Sequence, residues 1–365
     1  MSVRVIISGG GTGGHIFPAI SIANEIKDRI SNADILFVGA KGRMEMEKVP
    51  KAGYPIIGLT ISGIQRNWRN LSNILFPFKL LSSLWKSYRI IKHFKPDVVV
   101  GTGGYASGPL LFVASRLSIP ALIQEQNSYP GITNRLLASS VQKICVAYDN
   151  MQRFFPKDKL LMLGNPIRQD LVNNGRKKQK CLKAFNLDEH KVVLLVIGGS
   201  LGARTINQSI ANMAKELDEK GIQLIWQTGK AFEQSATTIC DKLPHAQSYP
   251  FIYNMDMAYN VADLIISRAG ASTISELCLV GKPVILIPSP NVAEDHQTKN
   301  AQSLVQKKAA VMIKDNEAQK LLGSQITAIL KDQDKQYELA KNIQSLAIAN
   351  SSEMIVDEVL KLIKP

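Results

Sequence analysis

With 365 residues the chain can form two domains with separate cores, and a hydrophobic fraction of 45% without an apolar run of bilayer-spanning length fits a globular protein. Four cysteines (Cys145, Cys181, Cys240, Cys278) at no paired spacing argue against a disulfide framework or a thiolate metal centre, and with no leader-like segment ahead of the first strand the expected compartment is the cytoplasm. The net charge is +14, but residues 1–165 carry 20 Lys/Arg against 9 Asp/Glu and the remainder 24 against 21, so the first half is the one expected to meet an anionic partner.

Val3–Ser8 reads as the first strand. It runs into five glycines in the six positions 9–14, then His15, then a helical pattern from about Pro18 to Ile30. Glycines at a strand-to-helix junction let the backbone approach a ligand, and the unpaired N–H groups of the next helix favour an anion. Gly9, Gly11 and Gly14 satisfy G-x-G-x-x-G. A dinucleotide site also needs an acid at the end of the second strand, and Phe37–Lys41 contains none. No P-loop lysine follows the glycines either. His15 can be a structural ring bonded to a carbonyl. It can also be a base, kept neutral by the helix N-terminus and able to take a proton from a hydroxyl, and a site role is expected.

Further strands are expected at Asp34–Val38, Pro55–Leu59, Asp97–Gly101, Ala121–Gln124 and Lys143–Ala147. Those of the second half are Val192–Ile197, Ile222–Gln227, Ala246–Pro250, Asp263–Ser267, Val284–Pro288 and Ala310–Ile313. Helix-length amphipathic stretches alternate with them, the pattern of βα units on parallel sheets. Glycine-rich turns follow strands at 8–15, 101–109, 197–203 and 267–273. Such recurrence predicts two Rossmann-like domains facing across a cleft, with ligands at the carboxyl ends of the strands. The polar, turn-rich segment 164–180 reads as a hinge between domains 1–164 and 165–345. The tail, 346–365, holds a helix with no strand to cross to and is expected to pack back on the first domain.

Between Arg66 and Pro96 there are seven Lys/Arg and no acid. At helical spacing Leu80, Leu81, Leu84, Tyr88, Ile90, Ile91 and Phe94 form an apolar arc, opposite Lys79, Lys86, Arg89 and His93. A domain helix explains that arc but not Phe78 and Trp85 on its flank. Aromatics interleaved with basic groups suit an anionic bilayer surface, which makes Phe78, Lys79, Trp85, Lys86 and Arg89 the expected membrane contacts. RNA is the rival partner, without an RNA-binding signature to support it.

In the second half, "SRAGASTISE" puts Ser272 and Thr273 at a helix start with Glu276 a turn further on. This is either a capping box or a carboxylate placed to accept the two hydroxyls of a ribose. Asp295, His296 and Gln297 open the next helix. The string Asp332-Gln333-Asp334 lies in a polar helical tail and reads as a solvated face, so no metal is expected. No nucleophile-elbow string is present.

The motifs "GGGTGGHIFPA", "GTGGYASGP", "EQN" (125–127), "GNPIR" (164–168), "GGSLGARTIN", "SRAGASTISE" and "DHQTKNA" together resemble the MurG family. These are the bacterial UDP-N-acetylglucosamine transferases that complete the lipid-linked peptidoglycan precursor. The likeness runs in order from residue 3 to about residue 315. It implies an α/β protein of the GT-B fold, two Rossmann-like domains with the active site between them, and neither metal nor other cofactor. It also implies that Arg168 and the Gly199-Ser200 turn hold the donor diphosphate, that Ile252 meets uracil, and that Ser272 and Thr273 line the phosphate end. Glu276 would take the ribose and Gln297 the sugar hydroxyls. Thr12, Gly13, Gly14 and Asn127 would reach the donor sugar, while Gly10, Gly11, His15, Gly103, Gly104 and Tyr105 would meet the acceptor. Some members have leucine at the position of Ser272, or two glutamines at His296-Gln297. The implied reaction is an inverting transfer of GlcNAc from UDP-GlcNAc to the 4-hydroxyl of MurNAc in lipid I, at the cytoplasmic face of the membrane, with His15 assisting the hydroxyl. The alternatives are another GT-B lipid glycosyltransferase, a UDP-GlcNAc 2-epimerase or, from a different class, a basic nucleic-acid-binding protein.

Overall fold

Apolar residues fill both faces of the central strands, as parallel sheets covered by helices on each side require. The structure, a computed structural model, describes residues 3–63, 76–167, 178–199 and 202–363. The chain divides into two units, Met1–Ile167 with Asn350–Pro365, and Arg168–Ala349.

In the first unit β1 (Arg4–Gly9), β2 (Asp34–Ala40), β3 (Ile56–Leu59), β4 (Val98–Gly103), β5 (Ala121–Glu125), β6 (Lys143–Val146) and β7 (Leu160–Met162) form one parallel sheet in the order β3-β2-β1-β4-β5-β6-β7. Between them run α1 (Gly13–Arg29), α2 (Glu45–Lys51), α3 (Phe76–Phe94), α4 (Ser107–Arg116) and α5 (Ile132–Leu137). Alternate residues of the strands sort onto the two faces. Val5, Ile7, Phe37, Val98 and Val100 pack under α1 through Ile16, Ile22 and Ile26. Ile6, Val38, Val99 and Ile123 pack on the other side with Ile90, Ile91, Leu110 and Leu111. The strand order reverses between β1 and β4, so the loops leaving these two strands open a crevice at the carboxyl edge.

In the second unit α6 (Lys178–Ala184) precedes β8 (Val193–Ile197), α7 (Arg204–Glu219), β9 (Gln223–Gln227), α8 (Glu233–Cys240), β10 (Ala246–Tyr249) and α9 (Met255–Val261). There follow β11 (Leu264–Ser267), α10 (Ala271–Val280), β12 (Val284–Leu286), α11 (His296–Val305), β13 (Val311–Met312), α12 (Ala318–Lys331) and α13 (Gln333–Gln344). The sheet order β10-β9-β8-β11-β12-β13 repeats that of the first unit, with its reversal between β8 and β11.

Two local features differ from the sequence expectation. The edge strand β7 was not anticipated: it has only three residues, follows a short 3₁₀ turn, and leaves Met162 49% exposed, so its apolar run is too short to stand out as a strand. On α3 the buried stripe is Ser83, Ser87, Ile90 and Ile91, while Leu81 and Tyr88 are 65% and 45% exposed. Small serines let α3 sit close to its neighbours, and Ser83 Oγ donates to Thr60 O at 3.3 Å. Hydropathy periodicity weighs a serine as polar and so misplaced the stripe. All four cysteines are free and buried, and burial pushes the Cys278 thiol up to about 12.

The last helix, α14 (Ser351–Leu362), belongs to the first unit and packs on α1. Ile355, Val356 and Val359 are fully buried in the α1 face of the core. Arg29 of α1 pairs with Asp357 and donates to Glu353 O at 3.1 Å. Ile355→Ala should therefore destabilise the protein by about 2–5 kcal/mol, read as a lower urea midpoint. An unchanged midpoint would show that α14 adds nothing to the core.

Candidate functional site

The glycine-rich turn after β1 is shaped by a side chain that the sequence reading passed over. Glu45, at the start of α2, is fully buried. It accepts a hydrogen bond from Ala40 N at the end of β2 (2.9 Å) and another from Gly11 N (2.9 Å). A Cβ on Gly10 would lie 2.1 Å from Glu45 Oε1, so this glycine makes room for the carboxylate. The N–H of Gly11 is thus committed to an internal anion and is not among the loop N–H groups turned toward a ligand. An acid does stand at the end of the second strand, as dinucleotide sites require, but it returns from α2 and is closed off from solvent.

His15 is half-buried in the first turn of α1. Its Nδ1 lies 2.9 Å from Gly10 O and 3.4 Å from Thr12 Oγ1. A carbonyl oxygen can only accept, so Nδ1 carries the proton and Nε2 of the neutral ring keeps its lone pair. Burial lowers the His15 pKa below the ordinary imidazole value, against the opposing pull of the Gly10 hydrogen bond and the Glu45 charge. Burial, rather than the helix N-terminus alone, keeps the ring neutral. The β4–α4 turn closes over it: Gly103 has φ +101°, and a Cβ there would meet His15 Cδ2 at 2.9 Å and Nε2 at 3.0 Å. A Cβ on Gly104 would meet Gly10 O at 2.4 Å, and Thr102 Oγ1 donates to His15 O at 2.8 Å. The structure thus brings Gly10, Gly11, His15, Gly103 and Gly104 together, while Thr12 is exposed, Gly13 and Gly14 are half-buried, and Tyr105 is 48% exposed beside Gly63.

After β5 a second buried carboxylate, Glu125, accepts from Asn127 N (3.0 Å), Asn127 Nδ2 (3.3 Å), Gly131 N (3.2 Å) and Asn134 Nδ2 (2.7 Å). Burial raises its pKa, opposed by these same hydrogen bonds. Glu125 folds the loop that presents Asn127. It lay inside the quoted "EQN" without a role assigned to it.

In the second unit the turn after β8 carries Gly199 at φ +79°. Gln227, at the end of β9, donates through Nε2 to Gly199 O (3.2 Å) and accepts through Oε1 from Ile252 N (3.0 Å). It therefore joins the phosphate-loop candidate to buried Ile252. Gly270 is the N-cap of α10, so Ser272 and Thr273 sit in its first turn and Glu276 in the second. That register excludes the capping box. Glu276 Oε2 instead accepts from Tyr259 OH at 3.0 Å, and Ser272 Oγ is buried without a hydrogen-bond partner. Gln297 Oε1 accepts from Ser289 N at 2.9 Å, tying the start of α11 to the end of β12. Asp295, the N-cap of α11, takes φ +52° and accepts from Thr298 Oγ1 at 2.7 Å. Arg268, also overlooked, bridges Ile287 O (3.0 Å), Pro288 O (3.2 Å) and Asp315 (2.5 Å), while Thr205 donates to Asp315 at 2.7 Å. The loops after β8, β9, β11 and β12 are thereby cross-linked at one sheet edge. Arg168 and Ser200 lie outside the described residues, as do Arg66 and Arg69. Among the described residues no cluster of three or more His, Cys, Asp or Glu could hold a metal ion.

On α3, Phe78 (70% exposed), Leu81, Trp85 (62%) and Tyr88 form one outward ridge at spacings of three and four. Arg89 stacks on Trp85 at 4.9 Å and Lys92 on Tyr88 at 5.8 Å. Lys86 turns the other way, donating to Gly58 O at 2.7 Å, and burial lowers its pKa. Lys79 donates to Ser62 Oγ at 3.3 Å. Arg89 and Lys92 are thus the basic groups stacked on the ridge.

Residues 5–146 match the glycosyltransferase family 28 N-terminal domain and residues 193–355 its C-terminal domain. The UDP-N-acetylglucosamine--N-acetylmuramyl-(pentapeptide) pyrophosphoryl-undecaprenol N-acetylglucosamine transferase of Flavobacterium psychrophilum is 54% identical over 361 residues, covering 99% of this chain and 98% of that protein. The crystal structure of Acinetobacter baumannii MurG superposes with a TM-score of 0.81 at 28% identity, over 98% of this chain and 99% of that one. UDP-GlcNAc 2-epimerase from Neisseria meningitidis, bound to UDP-GlcNAc, gives 0.65 at 16% identity over 99% and 100% of the two chains, a likeness of fold alone. Two Rossmann-like units of the GT-B type, the matched domains and near full-length identity above one half establish that this chain belongs to the MurG family of glycosyltransferases.

Proposed function

We propose that the enzyme transfers GlcNAc from UDP-GlcNAc to the 4-hydroxyl of MurNAc in undecaprenyl-pyrophosphoryl-MurNAc-pentapeptide, with inversion at the anomeric carbon. One observation carries the chemistry: His15 is a neutral ring whose Nδ1 is tied to Gly10 O, so its Nε2 is the free base. The acceptor hydroxyl gives its proton to Nε2 as its oxygen attacks the anomeric carbon, and the bond to UDP breaks with its electron pair on the diphosphate. The N-termini of α7 and α10, with Arg168, stabilise that leaving charge. Ile252 takes the uracil, Glu276 the ribose diol, Ser272 and Thr273 the phosphate end and Gln297 the sugar hydroxyls. The first unit contributes Thr12, Gly13, Gly14 and Asn127 to the donor sugar, and Gly10, Gly11, Gly103, Gly104 and Tyr105 to the acceptor.

The same reading places the enzyme on the cytoplasmic face of the membrane, held by the α3 ridge. No described helix is long and apolar enough to cross a bilayer. The acceptor is tethered to a lipid, so a peripheral contact beside the acceptor unit brings the sugar within reach. An exposed apolar ridge stacked with basic groups suits an anionic lipid surface.

Glu276→Ala should raise the KM for UDP-GlcNAc about tenfold to a hundredfold, the loss of a charge-assisted hydrogen bond, with the fold intact. A parental KM in the folded variant would remove Glu276 from the donor site. The acid limb of kcat/KM should fall below the ordinary imidazole value of about 6.5, because a lowered pKa keeps the ring unprotonated to lower pH. An acid limb at or above that value, or one that survives His15→Asn, would rule out His15 as the base.

Replacing Phe78 and Trp85 with serine should weaken liposome binding even at high salt. Changing Arg89 and Lys92 to glutamine should weaken it chiefly at low salt and on anionic lipid, since each basic group near such a surface contributes about 1 kcal/mol and is screened. Both variants should turn over a soluble short-chain acceptor normally. Parental binding by both, or retention of RNA in preference to liposomes, would place the membrane contact elsewhere.

A further inference from the structure

Gly10 C=O and Gly11 N–H belong to a single peptide group. Its N–H end donates to Glu45 Oε2 at 2.9 Å, and its carbonyl end lies 2.9 Å from His15 Nδ1. Carboxylate, amide and imidazole therefore form one continuous chain. We propose that Glu45 is a positioning residue of the transfer reaction, acting on His15 through the Gly10-Gly11 peptide so that Nε2 is held free and aimed at the acceptor hydroxyl. The proposal rests on the reading of His15 as the base.

Three features of the structure support it. The amide is planar and polarisable, so a carboxylate on its N–H raises the acceptor strength of its carbonyl, a cooperative gain of roughly 10–30% per bond. The arrangement is also built in: a Cβ on Gly10 would sit 2.1 Å from Glu45 Oε1, and one on Gly39 2.6 Å from Glu45 Cγ, so both positions are cleared for this side chain. Finally, Glu45 fastens both ends of its own cradle, since Oε1 accepts from Ala40 N at the end of β2. The isosteric amide could not accept both N–H groups on separate oxygens. Glutamine would turn its NH₂ toward one of them.

The electrostatics run in the same direction. Glu45, from α2, is the charged group whose field acts on His15, and it favours the imidazolium that forms when Nε2 takes the proton. The β4–α4 turn packed on the ring brings Gly103 and Gly104, with no titratable side chain, and Tyr105 beyond them lies against Gly63. Removing the Glu45 charge should leave His15 a weaker base, with its pKa lowered further.

The test uses the full-length enzyme with a soluble lipid I analogue. Glu45→Gln should lower kcat about tenfold or more, a fraction of the 10²–10⁴ that a positioned general base contributes. The KM for UDP-GlcNAc should stay within about twofold, and the acid limb of kcat/KM should move to lower pH. Glu45→Asp, which keeps the charge, should restore the limb toward that of the parent. In a His15→Asn background, Glu45→Gln should cost less than about twofold more, because the two act as one unit. Additive losses in the double variant, or an unmoved acid limb in Glu45→Gln, would overturn the proposal. If His15→Asn keeps the parental rate, the base reading falls and the chain falls with it. If His15→Asn is inactive while Glu45→Gln behaves as the parent, only the chain falls. Should Glu45→Gln fail to fold, the long-range ¹H–¹⁵N spectrum of the parent decides. His15 must show the Nδ1–H tautomer, and an Nε2–H tautomer would refute the chain.

Discussion

A carboxylate taken fully out of water is costly unless its oxygens are hydrogen-bonded, and backbone N–H groups that leave a sheet edge need acceptors. Glu45 meets both demands at once, by bridging Gly11 N and Ala40 N. The consequence is a fixed turn between β1 and α1. With that turn held, Gly10 O stands where His15 Nδ1 can reach it, and the β4–α4 turn can press Gly103 against the ring. The imidazole is thus oriented by a backbone carbonyl and not by direct contact with an acid.

The carboxyl edge of the first sheet uses the same device twice. Glu125 gathers four donors, from the loop that carries Asn127 and Gly131 and from Asn134 of α5. Gln124, Gln126 and Asn165 extend this network inward, with Gln124 Nε2 on Asn165 Oδ1 at 2.9 Å and Asn165 Nδ2 on Gln126 O at 3.1 Å. The second unit solves the same problem with different chemistry. There a neutral amide, Gln227, and an Arg268–Asp315 pair tie neighbouring loops together. Among the described residues no acid is fixed at the turn after β8, and a buried carboxylate there would repel an anion.

The helix α3 shows how burial divides one amphipathic segment. Ser83, Ser87 and its isoleucines face the protein, and its aromatic ridge faces out. Lys79 and Lys86 turn back to acceptors at the end of β3 and beyond, leaving Arg89 and Lys92 stacked on aromatic rings. The charge of a stretch is therefore a poor guide to which of its cations meet solvent.

Short β-branched apolar runs, glycine-bearing strand ends and the order of the motifs were enough to place β1–β6 and β8–β13 and to foresee paired parallel sheets, and they made His15, Glu276 and Gln297 candidates. Those features are local, and a parallel strand buried on both faces is legible because every position in it must be apolar. The edge strand β7 escaped because three apolar residues after a turn are too short a run to mark a strand. Glu45 escaped for a deeper reason. It lies 34 positions from Gly11 along the chain, and nothing in its neighbours marks it as the acceptor for that N–H. The tertiary structure likewise decided that Ser272 is inside α10 rather than its cap, and that Leu81 faces outward. Composition and spacing determined which elements form. Which buried donor finds which acceptor depends on distances between segments remote in the chain, and folding alone sets those.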